Sequence, residues 1–379
     1  MIRLSTTAVA FLLVTFVSYS HAGQPSPEAR GPYPVGVTTI QLEDSSRIDP
    51  KLAGPRPLLA EIWYPANDSA RDAKPTSFSD FYMDGKNIQM NMILALLFKF
   101  DIAVINTTFK TIAVRDADIA GGTFPLLIFS HGNGGMRSQS TFWCDHLASH
   151  GFIVAAVDHT RNACATSYKG QVIPYDNDGR AQAAIDRPKD LSFLIDTLIA
   201  MNGDTDSKFR GHVDADHIGV AGHSFGGFTA MAAAALDPRV DAIAPMAAVV
   251  PDFSKSSKRP LLLFIATEDD TIDEAGNTEA RAYYEDTTSP KYLVEMKNAG
   301  HYSFSDMFQL NPAWGDGIGE GKRITDGEAL RYLGMTDVYR FTNGYSTAFF
   351  HKYLKDSDTF EQYLKDNQAP KELIFRYRP

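Results

Sequence analysis

Gly222-His223-Ser224-Phe225-Gly226-Gly227 carries the pattern G-x-S-x-G, and its flanks give the pattern meaning. Before it, His217-Ile218-Gly219-Val220-Ala221 is a short apolar run suited to a buried strand. After it, the stretch from Phe228 to Leu236 is rich in alanine and other helix formers. A serine on a sharp strand-to-helix turn is strained. Glycine at 222 and 226 removes the Cβ atoms that would keep strand and helix apart. The turn predicts Ser224 Oγ projecting at the N-terminal end of a helix, where the dipole favours negative charge.

A serine hydroxyl is a weak nucleophile at neutral pH. It needs a base, an acid that orients the base, and donors for the oxyanion. Ten histidines are present, and only His301 and His351 follow Ser224. His351 falls in a helix-like stretch, Tyr345 to Leu354. His301 follows the strand-like run Lys291-Tyr292-Leu293-Val294-Glu295-Met296, so it is the expected base. For the acid, Leu261 to Ala266 is a continuous apolar strand, expected to be buried on both faces. Thr267-Glu268-Asp269-Asp270 follows at its carboxyl end, where α/β sheets hold their sites. Asp270 is the expected acid. Glu268 and Asp269 compete within two residues of it, and Asp252, after the preceding strand, is a further rival.

The oxyanion should meet two main-chain N–H groups, one directly after the nucleophile and one from an earlier strand–loop junction. The first is that of Phe225. The second is that of Asn133, in Ser130-His131-Gly132-Asn133-Gly134-Gly135, directly after the apolar strand Phe124 to Phe129. Losing one such donor typically costs about 3–4 kcal/mol of transition-state stabilisation.

The block from Phe129-Ser130-His131-Gly132-Asn133-Gly134 through Leu147 to His159 resembles the plasma-type platelet-activating-factor acetylhydrolases and their bacterial relatives. Gly31-Pro32-Tyr33-Pro34-Val35-Gly36 resembles that family's entry strand, and residues 222–227 match its elbow. The similarity covers residues 31–65 and 124–304 and is most specific over 129–159. It implies an α/β-hydrolase fold, with Ser224 as nucleophile, His301 as base, and the amides of Asn133 and Phe225 as oxyanion hole. The chain departs from the family at one point. The animal enzymes carry their acid after the strand that follows the nucleophile helix, and that position falls here at about Ala247. Alanine cannot orient a histidine, so the acid is expected one strand later, as in cutinase-like and dienelactone-hydrolase-like relatives. This departure puts a phospholipid substrate in doubt and leaves the ester chemistry intact.

Composition narrows the function classes further. Met1-Ile2-Arg3, the apolar run Ala8 to Val17 and Ser20-His21-Ala22 read as a signal peptide cut after Ala22, so a secreted or periplasmic protein is expected. Residues 23–379 suit one large domain. A net charge of −10 with no basic run argues against nucleic acid. No zinc-ligand spacing or phosphate-binding loop occurs, so neither metal nor cofactor is expected. Cys144 and Cys164 are the only cysteines, and their pairing is open from sequence. Strands are expected at 35–42, 58–65, 124–130, 152–158, 217–221, 240–248, 261–266 and 291–296. A helix is expected from about Asp186, with Pro188 in its first turn and Leu191, Leu194, Ile195, Leu198 and Ile199 on its core face.

Two stretches interrupt the alternation. Residues 84–122 include the apolar run Met90 to Phe100, read as a packed helix, a pocket wall or a transient contact with a lipid surface. Residues 311–336, with Trp314 and many glycines, are expected as a second insertion near the pocket. The expected function is an exported serine carboxylic-ester hydrolase acting on short acyl or lipid-like esters through an acyl-enzyme. An amide or peptide hydrolase with the same triad and a non-catalytic binding protein on the same scaffold are the alternatives.

Overall fold

The computed structural model describes residues 25–82, 88–99, 102–251 and 258–379. The signal-peptide region and Asp252 lie outside the described residues. The first half of the chain supplies strands β1 (Val35–Asp49), β2 (Gly54–Pro65), β3 (Ala113–Arg115), β4 (Phe124–Ser130) and β5 (Ile153–Asp158), then the ribbon β6 (Ala165–Tyr168) and β7 (Gln171–Pro174). The second half supplies β8 (Val213–His223), β9 (Val240–Met246), β10 (Leu261–Ala266), β11 (Lys291–Met296), the ribbon β12 (Glu320–Lys322) and β13 (Ala329–Arg331), and β14 (Leu373–Arg378). Ten of these strands form one sheet in the order β14-β11-β10-β9-β8-β4-β5-β2-β1-β3. From β5 to β11 the neighbours are parallel, and antiparallel pairing returns at β2–β5, β1–β2 and β11–β14. This is the α/β-hydrolase architecture.

The parallel strands are buried on both faces, and alternation sends their side chains into two cores. On β4, Leu127 and Phe129 join one core while Leu126 and Ile128 join the other. Helices α3 (Thr141–Ser149) and α8 (Met335–Leu354) cover the first, with Trp143, Leu147, Phe349 and Phe350. Helices α4 (Arg180–Gly203), α5 (Phe225–Leu236) and α6 (Asp273–Asp286) cover the second, with Leu191, Leu194, Met231 and Tyr283. Crossovers between parallel strands demand such helices.

The sequence expectation differs from the structure at several elements. Helix α4 begins at Arg180, so Pro188 lies in its interior rather than its first turn. An interior proline lacks the N–H for the helical bond, a cost of roughly 3 kcal/mol that burial must offset. Pro188 belongs to the buried stripe with Leu191, Leu194, Ile195 and Leu198. The edge strands β3 and β14 were not expected. β3 is three residues long, and β14 reads Leu-Ile-Phe-Arg-Tyr-Arg, whose Arg376 and Arg378 pair with Glu285 and Glu295. Both strands take their identity from a partner. Residues 84–122 hold α1 (Ile88–Phe98), α2 (Ile102–Thr108) and β3. Residues 311–336 hold the β12–β13 ribbon. Cys144 and Cys164 are separate buried thiols.

Candidate active site

The carboxyl ends of β4, β8, β9, β10 and β11 share one edge of the sheet, because all five run parallel. Loops leaving that edge meet around one cavity of about 520 Å³. Ser224, His301, Asn133 and Phe225 all line it, so those four expected site residues are brought together.

Ser224 lies between β8 and α5 with φ 59° and ψ −124°, a left-handed conformation that a side chain adopts only under constraint. The constraint is local and visible. Ser224 N–H donates to Met246 O at 2.8 Å, and Ser224 O accepts from Gly227 N–H at 2.9 Å. Ser130 of β4 pairs with Gly222 of β8, which brings the oxyanion loop beside the elbow. A Cβ on Gly226 would strike Ser130 O, and one on Gly222 would strike Gly226 O. These two positions therefore exclude any side chain.

His301 opens a short 3-10 turn after β11 and is buried. Its Nδ1 lies 2.8 Å from Asp269 Oδ2. The other oxygen, Asp269 Oδ1, accepts from the N–H groups of Thr271 (3.0 Å) and Ile272 (2.9 Å). The carboxylate is thus fixed in orientation, and an Nδ1–H donated to it leaves Nε2 as the accepting ring nitrogen. This corrects the expectation of Asp270. Asp270 is exposed, and its N–H donates to Asp316 Oδ1 at 3.1 Å. The loop after β10 does reach His301, and the carboxylate beside the ring is that of Asp269. The turn after Ala266 directs Asp269 inward and Asp270 to solvent, and residue spacing alone does not reveal that.

Residues 132–135 form the loop opposite His301. Gly132 N–H donates to Gln139 Oε1 at 2.9 Å, and Gly134 N–H donates to Asn162 O at 3.0 Å. Among the described residues the N–H groups of Asn133 and Phe225 donate to no protein acceptor, and both residues face the cavity. Two unengaged amides beside a strained serine suit a developing oxyanion.

Four supporting residues lie outside the expected site set. Gln139 Nε2 donates to His223 Nδ1, and His223 Nε2 donates to His301 O, each at 2.8 Å. Burial, and then the neighbouring His301, hold His223 well below the usual histidine range, so its ring stays neutral. Asp316, in the second insertion, accepts from His301 N–H at 2.8 Å and from Thr271 Oγ1 at 2.6 Å, which ties the acid loop to the histidine loop. Asn162 Nδ2 donates to Asn133 Oδ1 at 2.9 Å. Of the four, only His223 carried a sequence signal, as the variable residue inside the elbow.

The cavity has an apolar, aromatic end. Phe78, Phe98, Phe109, Met136, Leu310 and Trp314 line it. Phe98 and Trp314 rings lie 6.0 Å apart, and Trp314 meets Tyr302 at 5.6 Å. Both insertions therefore contribute to the pocket wall. Among the described residues no group of His, Cys, Asp and Glu is arranged to hold a metal ion.

Comparison with known proteins points to ester hydrolases. The family model described as PET hydrolase-like matches residues 113–314. The model described as platelet-activating factor acetylhydrolase, isoform II, matches residues 19–186. Platelet-activating factor acetylhydrolase of Cavia porcellus is 25% identical over 93% of this chain and 82% of its own. The Gallus gallus enzyme of that name is 25% identical over 91% of this chain and 87% of its own. A solved ferulic acid esterase from Streptomyces cinnamoneus superposes with a TM-score of 0.71 at 25% identity, covering 93% of this chain and 99% of that one. With its α/β-hydrolase sheet and these ester-hydrolase relatives, the chain is an ester hydrolase and belongs to the PET hydrolase-like family.

Proposed function

We propose that the protein cleaves carboxylic esters through Ser224, His301 and Asp269, with an acyl-enzyme intermediate. The observation that carries this reading is the buried 2.8 Å contact between His301 Nδ1 and Asp269 Oδ2 behind a histidine that lines the same cavity as Ser224. His301 Nε2 takes the Ser224 proton as Oγ bonds to the ester carbonyl carbon, and the carbonyl oxygen becomes negative before the amides of Asn133 and Phe225. Collapse expels the alcohol, which receives the proton from His301. Water then repeats the sequence on the acyl group.

The aromatic end of the cavity favours an apolar acyl or aryl group. The apolar side chains Met92, Leu96, Leu97 and Val104 on α1 and α2 are exposed beside Phe98, which supports transient contact of this region with a lipid-like surface. Export as a secreted or periplasmic protein is proposed from the first 22 residues, and residues 23–379 are proposed as one domain whose two insertions wall the pocket.

Purified protein assayed on p-nitrophenyl acetate, butyrate and longer esters, beside peptide anilides, tests the reading. Esters should be cleaved and anilides left intact, with Ser224→Ala inactive. A Ser224→Ala variant with full turnover, or anilides cleaved in preference to esters, would refute it.

A further inference from the structure

Arg187 is fully buried on α4, directly before the interior Pro188. A residue preceding proline resists helical geometry, so this step is held at a cost. Buried guanidinium groups are ordinarily paired with carboxylates. Among the described residues Arg187 has no carboxylate within ion-pairing distance. Asp190, one turn along on the same helix, is already engaged by Arg47 (2.7 Å), Arg56 (2.8 Å) and His159 (2.9 Å). Burial pushes the Arg187 guanidinium down to about 9, with Asp190 pulling the other way, so the group is still charged at neutral pH.

Its contacts converge on the site. One nitrogen, NH1, donates to Asn162 Oδ1 at 2.6 Å. The other, NH2, donates to Ser130 Oγ at 2.9 Å and also to His131 O. Asn162 in turn grips the Asn133 side chain and the Gly134 amide. The guanidinium carbon lies 4.6 Å from the centre of the Phe225 ring. One cation therefore touches Phe225 directly and Asn133 through a single intervening side chain.

We propose that Arg187 is the positioning residue of the oxyanion site, fixing both donor residues and adding positive potential behind the oxygen that becomes negative. The inference rests on the triad and oxyanion reading above. An unpaired buried charge is expensive in the resting enzyme. The same charge is compensated once the carbonyl oxygen gains an electron pair, so its effect falls on the transition state rather than on substrate binding.

The test measures kcat and KM on p-nitrophenyl butyrate, and affinity for butylboronic acid, which adds to the serine as a tetrahedral anion. Arg187→Gln and Arg187→Met should lower kcat by roughly 10- to 100-fold with KM changed less than about threefold, and boronate affinity should fall in step with kcat/KM. Arg187→Lys should recover part of both. A folded Arg187→Gln with wild-type kcat, a kcat loss with boronate affinity kept, or a lysine variant no better than methionine would overturn the proposal. Should the Arg187 variants fail to fold, Asn162→Ala keeps the charge and cuts its link to Asn133. It should lose kcat several-fold with a parallel loss of boronate affinity, and wild-type values for both would overturn the proposal. Failure of the underlying reading looks different. In that case the wild-type enzyme resists the boronate, or Ser224→Ala stays active, and the proposal falls with it.

Discussion

Gln139 Nε2 lies 2.8 Å from His223 Nδ1, and this contact decides which His223 nitrogen carries the proton. With Nδ1 accepting, Nε2 must donate, and it donates to the main-chain oxygen of His301. The same Gln139 accepts from Gly132 N–H. One glutamine thus connects the oxyanion loop to the histidine loop across the elbow.

Replacing His223 by phenylalanine removes this link and strands two polar groups, the half-buried Gln139 Nε2 and the buried His301 O. Each stranded group costs about 1–3 kcal/mol. The variant should melt several degrees lower and lose roughly tenfold or more in kcat as the histidine loop loosens. Steady-state kinetics beside thermal unfolding would check this, and an unchanged kcat would show that the bridge is dispensable.

Asp269 and Asp270 are adjacent and should behave as opposites. Asp269→Asn keeps the shape but offers His301 the wrong partner, so kcat should fall roughly 10³- to 10⁴-fold. Asp270→Asn, on an exposed side chain, should stay within about twofold of the parent. Comparable losses in the two variants would mean that the acid has been misassigned.

Gly226→Ala adds a methyl group directly into Ser130 O. Neither β4 nor the elbow can yield without breaking the β4–β8 pairing at Ser130 and Gly222. A destabilisation of about 3 kcal/mol or more, with loss of soluble protein, is expected. Gly121→Ala, where a Cβ meets nothing within 4 Å, is the matching control and should express normally.

Acid should destabilise the fold. Burial pushes His146 and His159 down to about 3 and holds His131 and His223 well below the usual range. Between about pH 6.5 and 3 the unfolded chain binds protons at these sites that the folded chain refuses, so stability falls as pH falls. Buried carboxyls oppose this. Burial pushes Asp145 and Asp306 up to about 7, so the stability they contribute is complete below about pH 4 and is lost as pH rises through 7. Burial lowers His150 and His351 in the same way and raises Asp158, so the histidines held neutral still outnumber the carboxyls held protonated. Unfolding free energy from urea titrations should therefore drop by roughly 1–3 kcal/mol per pH unit from pH 6 to 5. A flat or rising profile over that interval would contradict the assignment of buried neutral histidines.

The sequence alone determined the central strands and the elbow, and it brought forward Ser224, His301, Asn133 and Phe225, which the fold gathers around one cavity. Each of these is encoded over a few consecutive residues. An apolar run bounded by glycines gives a buried strand, and the G-x-S-x-G turn needs its glycines within three positions of the serine. Only the tertiary structure decided which of two adjacent aspartates faces His301, because that depends on how the turn after Ala266 directs each side chain. It alone brought in Gln139, Asn162, Arg187 and Asp316, which reach the site from other loops and helices. It alone also placed β3 and β14, edge strands whose short or charged segments become strands only through a neighbour's hydrogen bonds. The division is physical: contacts along the chain leave a pattern in the order of residues, whereas contacts across it are fixed only when the sheet and its two cores assemble.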